Sequence, residues 1–246
     1  MIRINAENIK LSDGYVNLKN NDYNIIFSTA ENNKNFNRHT EEGTKTLNSL
    51  TDEFDLENVI YVRQVHGDRI VKYSNQNKDD FIEEEADAII TNVKDIAIGV
   101  FTADCVPIIV IDKKRKAMAA IHSGWKGTFL SITKKTIKKL ESEYGSNPED
   151  LVAYIGPHIR QCCYEVSNEL KEKFINEKKI DIEKLFRGRN LSMEECILKD
   201  LRECGVGEDN IYSVNLCTYC CEDIKLHSYR KSNGDYSRMF SFVILK

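Results

Sequence analysis

Three residues whose side chains bind metals or act as nucleophiles follow apolar, strand-like runs. His66 ends the run NVIYVRQVH, Cys105 follows AIGVFTAD, and His122 ends AMAAIH. Loops at strand ends are where a rigid scaffold presents functional groups, so these residues are the first candidates for a site. Two imidazoles and one thiolate form a three-ligand set, with which zinc keeps a fourth position for water or substrate. The three residues therefore indicate a candidate catalytic metal site.

Two other interpretations of the same residues stay open when only their spacing is considered. Cys105 could act as a thiolate nucleophile with His122 as its base, as in cysteine hydrolases. Alternatively, Cys105 is a buried thiol beside two hydrogen-bonded histidines. Metal content separates these interpretations, because only a metal site loses a stoichiometric zinc in a Cys105→Ala variant.

Copper is the alternative metal for this ligand set. Two histidines and a cysteine also occur in trigonal copper sites, which add a distant methionine. Met118 lies four residues before His122 on the same expected strand, about 13 Å away, so the sequence favours zinc. A multi-copper centre is excluded, because it needs more imidazole ligands than the five histidines of the chain can supply.

A hairpin would bring Cys105 and His122 together. If Val106–Asp112 pairs with Ala117–Ile121 and the chain turns at Lys113-Lys114, Cys105 stands directly opposite His122. Opposed residues in an antiparallel pair have Cβ atoms about 4.5–5.5 Å apart, close enough to share a metal ion. The register is a hypothesis, because Lys-Lys is a poor two-residue turn and a longer loop would change it.

The stretch after His122 has the features of an anion site. Gly124, Trp125, Lys126 and Gly127 lead directly into an expected helix. The free amides of a helix amino terminus and an adjacent lysine attract anions, so Gly124, Lys126 and Gly127 are candidates for binding a phosphate or carboxylate. The alternative is that the glycines only make a sharp turn and the tryptophan packs in the core.

Polar residues elsewhere give weaker signals. Asp104 precedes Cys105 and is the candidate catalytic carboxylate, although a structural role is the simpler interpretation. Arg230 is a further candidate for phosphate. It belongs to a polar carboxy-terminal stretch in which the composition favours solvated side chains, with His227, Tyr229 and Arg238.

Five further cysteines stand outside the candidate site. Cys217 and Cys220 form a CxxC with Cys221 beside it, and a structural zinc there would need Cys162 and Cys163 as well. Adjacent cysteines rarely both bind one zinc, so we expect all five to be buried thiols.

The pattern of apolar residues predicts a layered α/β (α+β) fold with mixed central sheets flanked by helices. Apolar spacing predicts a helix from about Phe129 to Tyr144. Ser167 can cap a second helix. Ser192 and Glu195 form a capping box at the start of a third helix, and Gly205 is expected to end it. The polar segment Asn32–Lys45 is expected to be a loop. No linker interrupts the chain, so 1–246 is expected to be one domain. Runs of Val, Ile, Tyr and Phe predict nine strands: Val59–Val65, Arg69–Tyr73, Ala86–Thr91, Ile96–Thr102, Val106–Asp112, Ala117–His122, Leu151–Ile155, Ile211–Leu216 and Phe240–Leu245.

The composition narrows the class of protein. The net charge is −4, and Lys and Glu are interspersed, so no basic surface for nucleic acid is expected. The longest apolar runs are far below the roughly 18–20 residues that span a bilayer, and no signal-peptide core occurs at the amino terminus. We therefore expect a cytoplasmic protein without membrane or nucleic-acid partners, in which cysteines are thiols or metal ligands.

The ordered motifs resemble the YfiH/YlmD laccase-domain family, whose members are called polyphenol oxidase, purine nucleoside phosphorylase and peptidoglycan editing factor PgeF. The similarity runs from about residue 24 to the end. It implies that His66, Cys105 and His122 bind zinc in a YfiH-like fold. It also implies phosphorolysis of adenosine, inosine and methylthioadenosine, with adenosine deamination as a further activity. The motifs are QVHG at 64–67, ADAIIT at 86–91, TADCVP at 102–107, HSGWKG at 122–127, IGPHI at 155–159, CCYEV at 162–166, CT at 217–218 and SYRK at 228–231.

The chain departs from the family pattern at three places. In the family motif FSTRxGG, Ala30 replaces the arginine and both glycines are lost. The family motif HAGWRG becomes HSGWKG in this chain. The family's final TGR becomes Tyr236-Ser237-Arg238. Loss of the arginine is expected to weaken phosphorolysis if that residue holds phosphate or nucleoside. The resulting hypothesis is a purine nucleoside phosphorylase and adenosine deaminase. The alternatives are a cysteine hydrolase that edits peptidoglycan precursors, a copper phenol oxidase and a non-catalytic partner protein.

Overall fold

The chain folds into two β-sheets packed face to face, with helices on the outer face of each. The computed structural model describes all residues, 1–246. The larger sheet has the spatial order β1 (Ile2–Ile4), β14 (Ile211–Val214), β11 (Leu151–Ile155), β9 (Val106–Asp112), β10 (Ala117–Ser123), β7 (Ala88–Thr91) and β6 (Ile70–Lys72). The smaller sheet has the order β2 (Leu11–Ser12), β3 (Tyr15–Asn20), β4 (Tyr23–Ser28), β15 (Met239–Leu245), β8 (Ile96–Thr102) and β5 (Asn58–Ile60).

Both sheets combine parallel and antiparallel pairs, as the sequence predicts. In the seven-stranded sheet β14 runs parallel to β1 and β11, whereas β9 and β10 are antiparallel. Eight α-helices complete the fold together with a small hairpin of β12 (Phe186–Arg187) and β13 (Asn190–Leu191). The helices are α1 (Glu41–Asn48), α2 (Leu50–Phe54), α3 (Lys78–Phe81), α4 (Trp125–Phe129), α5 (Ile132–Tyr144), α6 (Asn168–Lys178), α7 (Ile182–Leu185) and α8 (Met193–Cys204). None of them is long and apolar enough to cross a membrane.

Three apolar cores follow from the alternation of side chains along the strands. In β9, Ile108 and Val110 face the core under α5, α6 and α8, whereas Ile109 and Ile111 face the core between the sheets. A third core lies between the smaller sheet and α1 with α2. Successive strand residues point to opposite faces, so a strand covered on both sides must be apolar throughout. For β9 one of the two covering layers is a second sheet rather than a helix.

Side-chain caps define the helix ends that the sequence indicates. The Ser192 hydroxyl accepts the amide of Glu195 at 3.2 Å, and Gly205 ends α8 with a φ of 95°. The reciprocal half of the capping box is not formed, since the Ser192 amide bonds to the carbonyl of Leu185. The helix after His122 is two helices, α4 and α5, because Ser131 between them has a left-handed backbone with a φ of 57°.

The elements differ from the sequence-based expectation in the first 65 residues. The expected strand Val59–Val65 is regular only over Asn58–Ile60, because the chain then leaves the smaller sheet to reach the larger one. The expected loop Asn32–Lys45 contains the start of α1, where the Thr40 hydroxyl accepts the amide of Gly43 at 3.1 Å. Strands β1 to β4 were not predicted, because polar residues interrupt their apolar pattern, as in YVNLKN of β3.

Candidate metal centre

The structure brings His66, Cys105 and His122 together where the two sheets meet. Their ligand atoms all lie within 4.8 Å of one another, and the two imidazole rings are nearly perpendicular with centroids 4.7 Å apart. His122 is buried, Cys105 is partly buried and His66 is exposed. The triad is therefore buried on the side of His122 and accessible to solvent on the side of His66.

Crossings between the sheets position two of these residues. His66 lies between β5 of the smaller sheet and β6 of the larger, and Cys105 lies between β8 of the smaller sheet and β9 of the larger. His122 is near the end of β10, on the face that packs between the sheets with Met118 and Ala120. Because both crossings pass the end of β10, residues distant in sequence converge there.

The β9–β10 register differs from the expected one by two residues. His122 pairs with Pro107, not with Cys105, because the turn spans the four residues Lys113–Lys116 instead of two. A slip of one residue moves every side chain to the other face, whereas a slip of two residues keeps the face. Cys105 thus lies diagonally from His122 on the same side, and the two ligand atoms still approach each other.

Asp87 holds both histidines and was not singled out by the sequence analysis. Its carboxylate lies 2.7 Å from Nδ1 of His122 and accepts the backbone amides of His66 at 3.0 Å and Gly67 at 2.6 Å. It is fully buried, so it depends on these partners in place of water. The bond to Nδ1 leaves Nε2 of His122 to face a metal, the usual carboxylate–histidine arrangement behind a bound ion. The sequence did carry a signal for this role, because Asp87 is a charged residue inside the apolar run ADAIIT.

The same contacts shift the pKa values of Cys105 and His122 in opposite directions. Burial by itself raises the pKa of the Cys105 thiol, but the charges and hydrogen bonds of His122 and His66 outweigh it and lower the pKa to about 6. Burial lowers the pKa of His122, yet the Cys105 thiolate and Asp87 raise it to about 9. Both shifts favour a proton on His122 over a proton on Cys105. A metal ion would replace the proton on His122, so binding releases that proton.

The donor set fits a single soft or borderline metal ion. One thiolate and two imidazoles suit zinc or copper, and three protein donors leave one position open. Gly124 packs directly against this set. A Cβ at that position would lie 3.0 Å from Cδ2 of His66 and 3.1 Å from Sγ of Cys105. A side chain at position 124 would therefore press on two of the three metal-binding candidates and displace them by a few tenths of an ångström.

Two clefts meet at His66 and Cys105. The first carries the side chains of Arg38, Gln64 and Arg238 with aromatic rings that include Phe101 and Tyr236. The second is bordered by Asp104, Tyr164, Tyr229 and Arg230. A ligand could thus reach the open side of the triad from either direction, past an arginine in both cases.

Asp104 and Arg230 lie together in the second cleft. The Asp104 carboxylate accepts the hydroxyl of Thr218 at 2.6 Å and the backbone amide of Arg230 at 2.8 Å. The Arg230 guanidinium donates to the carbonyl of Glu165 at 2.6 Å and lies 5.0 Å from the Tyr164 ring. Asp104 thereby ties the carboxy-terminal segment to the wall of the site.

The turn after His122 is divided between the site and the surface. Gly124 contacts the triad. Gly127 is also closely packed, because a Cβ added there would lie 3.0 Å from the carbonyl oxygen of Gly67. Lys126 is exposed, with its ammonium 5.6 Å from the Trp125 ring, and borders neither cleft. Ala30 also borders neither cleft.

His158 is buried beside a separate ionic group. Burial and the nearby Arg160 guanidinium lower its pKa to about 4, although Glu194 acts in the opposite direction. Its Nδ1 lies 2.8 Å from the carbonyl oxygen of Gly156, which places the single proton of the neutral ring on that nitrogen. This histidine is therefore neutral at physiological pH.

The remaining cysteines of the two loops are less buried than expected. Cys162 and Cys220 are exposed, Cys163 and Cys221 are partly exposed, and only Cys217 is buried. The expectation of five buried thiols is wrong, because these residues lie in turns after β11 and β14 rather than in the core. Four of them lie close together.

The fold and the site define a class of two-sheet α/β proteins with a histidine–cysteine metal-type triad where the sheets meet. The sequence family described as multi-copper polyphenol oxidoreductase laccase matches residues 17–246, so the chain belongs to this family. This confirms the family resemblance read from the motifs.

Individual relatives agree with this assignment. A protein of Clostridium acetobutylicum named purine nucleoside phosphorylase is 42% identical over 241 residues, which cover 97% of this chain and 100% of the relative. The crystal structure of the hypothetical protein YfiH of Bacillus licheniformis matches with a TM-score of 0.88 at 25% identity, covering 96% of this chain and 97% of that one. YlmD of Geobacillus stearothermophilus matches with a TM-score of 0.85 at 21% identity, over 96% of this chain and 98% of that one, and shows the fold.

Proposed function

We propose that this chain is a zinc-dependent purine nucleoside phosphorylase that acts on adenosine, inosine and methylthioadenosine, and that it also deaminates adenosine. The observation that carries the proposal is the triad of His66, Cys105 and His122 at the meeting point of two arginine-bearing clefts. The name of the Clostridium relative, which aligns over its whole length, supports the substrate class.

The triad and Asp87 would hold the ion. Zinc bound by three protein ligands supplies a Lewis acid with an open position at which a substrate group or water is polarised. Asp87 fixes the tautomer of His122 and the backbone of His66 through the bonds described above. Both clefts open onto this point, so a nucleoside in either one can approach the site.

In phosphorolysis, an oxygen of phosphate forms a bond to the anomeric carbon of the ribose while the bond to the purine nitrogen breaks. The leaving base takes up a proton, and ribose 1-phosphate remains. Asp104 borders the second cleft and is our candidate for handling that proton. In deamination, water adds to the purine ring carbon that bears the amino group, and ammonia leaves.

Two places are available for phosphate. The sequence analysis points to the turn Gly124, Lys126 and Gly127 together with Arg230, of which Gly124 and Arg230 lie at the triad or its second cleft. The first cleft offers Arg38 and Arg238, whose guanidinium groups have the fork geometry that suits phosphate oxygens. These arginines would bind phosphate without any contribution from position 30, since Ala30 borders neither cleft.

A cysteine hydrolase that edits peptidoglycan precursors is the second candidate, and one specific observation favours it. His122 bridges Asp87 and Cys105, and the pKa of Cys105 is lowered to about 6, as required of a nucleophile. His66 has no evident role in such a triad, whereas it completes a metal site. A copper phenol oxidase is the third candidate and would show visible absorption from a copper–thiolate bond.

Product analysis tests the proposal. Purified protein is incubated with adenosine, inosine or methylthioadenosine, with and without phosphate, and the products are separated by chromatography. We expect phosphate-dependent release of adenine, hypoxanthine and methylthioribose 1-phosphate, and phosphate-independent inosine from adenosine, all lost in His66→Ala and after chelation. Turnover equal to that of His66→Ala would reject the proposal, and full nucleoside turnover without metal would reject its zinc dependence. No nucleoside turnover, with release of an amino acid from a mis-charged muramyl precursor, would favour the cysteine hydrolase.

Single variants locate the phosphate. Loss of a hydrogen bond from a charged donor costs about 1.5–3 kcal/mol, so the correct arginine variant should raise the KM for phosphate at least tenfold. Arg38→Leu tests the first cleft and Arg230→Leu the second, while Lys126→Ala tests the turn. Arg63→Ala is the matched control, because Arg63 is half exposed and paired with Glu85 away from both clefts.

A further inference from the structure

Four cysteine sulfurs form a second compact group, separate from the triad. The Sγ atoms of Cys162, Cys163, Cys217 and Cys220 all lie within 4.8 Å of one another, and those of Cys162 and Cys220 are 3.6 Å apart. Zinc–sulfur bonds of about 2.3 Å in a tetrahedron separate the sulfurs by about 3.8 Å. The four side chains therefore converge with nearly the span of a tetrathiolate zinc site.

The backbone of both loops explains the convergence. The amides of Cys163 and Tyr164 both bond to the carbonyl of Arg160 at 2.9 Å, so Cys162 and Cys163 lie in a tight, helix-like turn. Successive side chains in such a turn diverge by about 100°, not by the 180° of a strand, so adjacent cysteines can reach the same point. This removes the objection that adjacent cysteines rarely share one ion.

The CxxC supplies the other two sulfurs from a neighbouring loop. The amide of Cys221 bonds to the carbonyl of Cys217 at 3.0 Å, which closes a turn and puts Cys217 and Cys220 on one side of it. A bridge between His158 and Cys217 holds this loop beside the one that follows β11. The two loops extend two parallel neighbouring strands, so they emerge at the same end of the sheet.

The polar surroundings favour a thiolate bound to a cation. The sulfur of Cys217 accepts the backbone amide of Arg160 at 3.5 Å and also those of Tyr219 and Cys220. Amide donors of this kind stabilise the negative charge of a thiolate. The adjacent cleft also contains the carboxylates of Glu222 and Asp223, which attract a cation and disfavour four unpaired thiolates.

We propose that Cys162, Cys163, Cys217 and Cys220 bind a second zinc ion in a closed, structural tetrathiolate site. On binding, the four thiols release their protons to solvent and each sulfur donates an electron pair to the ion, without any change of oxidation state. All four positions of the metal are then occupied by protein, so this site holds the structure and does not take up substrate.

The ion would fix one wall of the triad's second cleft. Tyr164 follows Cys163 directly and borders that cleft, and Thr218 follows Cys217 and donates to Asp104 at 2.6 Å. Joining the two loops through zinc holds both residues against the wall. Loss of the ion should therefore lower the melting temperature and loosen the second cleft, while His66, Cys105 and His122 keep their own metal.

Metal counting tests the proposal independently of any nucleoside activity. Protein purified under reducing conditions is analysed for bound metals by mass spectrometry. We expect one zinc in His66→Ala, none in His66→Ala combined with Cys217→Ser and Cys220→Ser, and one in His66→Ala combined with Cys221→Ser. Cys221 is the matched control, because it neighbours Cys220 in sequence but lies outside the group. A failure of the proposed function would empty the triad and leave these counts unchanged.

Cobalt provides a readout that does not disturb the four cysteines. Cobalt-loaded His66→Ala should show intense charge-transfer and tetrahedral d–d bands of a tetrathiolate, and binding should protect Cys162 and Cys220 from alkylation until a chelator is added. No zinc in folded His66→Ala, an absence of these bands, or a disulfide between these cysteines in protein alkylated without reductant would overturn the proposal.

Discussion

Replacement of Asp87 by asparagine tests how the site is organised. Asp87 is fully buried, and its carboxylate serves His122 Nδ1 at 2.7 Å and the amides of His66 and Gly67 at 3.0 and 2.6 Å. Asparagine has the same shape but only one acceptor atom, so it cannot serve the imidazole and both amides. Outer carboxylates of this kind contribute about 10- to 100-fold to metal affinity, which is about 1.4–2.7 kcal/mol.

Zinc affinity is measured by competition with a chromophoric chelator, in a Cys217→Ser/Cys220→Ser background so that the second proposed site does not contribute. We expect Asp87→Asn to bind zinc at least tenfold more weakly and to lose about 1–3 kcal/mol of unfolding free energy through unsatisfied buried groups. Asp112→Asn is the control, because Asp112 is equally buried and caps the amides of Lys114 and Arg115 at 2.9 Å, away from the triad. A folded Asp87→Asn protein with zinc affinity within twofold of the parent would refute the reasoning.

Three further variants have defined outcomes. Gly124→Ala should weaken zinc binding at least tenfold in the same chelator assay, because its methyl group would lie 3.1 Å from Sγ of Cys105. Gly207→Ala is the control and should leave zinc binding unchanged, because the nearest atom to its methyl group would be 3.8 Å away. His158 is buried and neutral, and its pKa of about 4 lies below the value of about 6.5 in the unfolded chain. Between pH 6.5 and 4 only the unfolded chain binds the proton, so the protein should lose on the order of 3 kcal/mol of stability as the pH falls through this range. His158→Gln should flatten the dependence of the urea midpoint on pH. Ser192→Ala removes the cap of α8 and should cost about 1 kcal/mol, seen as a lower melting temperature with unchanged zinc content.

The strands that carry the site were predictable because their apolar runs are long and uninterrupted. The observed bounds of β8 and β9 are those predicted, and β10 extends one residue further. The amino-terminal strands were missed, because polar residues interrupt their apolar pattern; in β3 only Tyr15 and Val16 are buried. The division of the strands between two sheets also lay beyond the sequence, since residue patterns report that a face is buried and not what covers it.

The sequence alone determined the types of the three candidate ligands, their places after apolar runs and the family motifs. Tertiary structure decided which neighbours make them a site. Asp87 reaches both histidines only because β7 pairs with β10, and Arg38 and Arg238 join the first cleft from distant loops. The four clustered cysteines come from loops more than 50 residues apart, brought together by the parallel pairing of β11 and β14. Local sequence fixes backbone preference and burial, whereas contacts between distant segments depend on strand order and register, which only the packed chain determines.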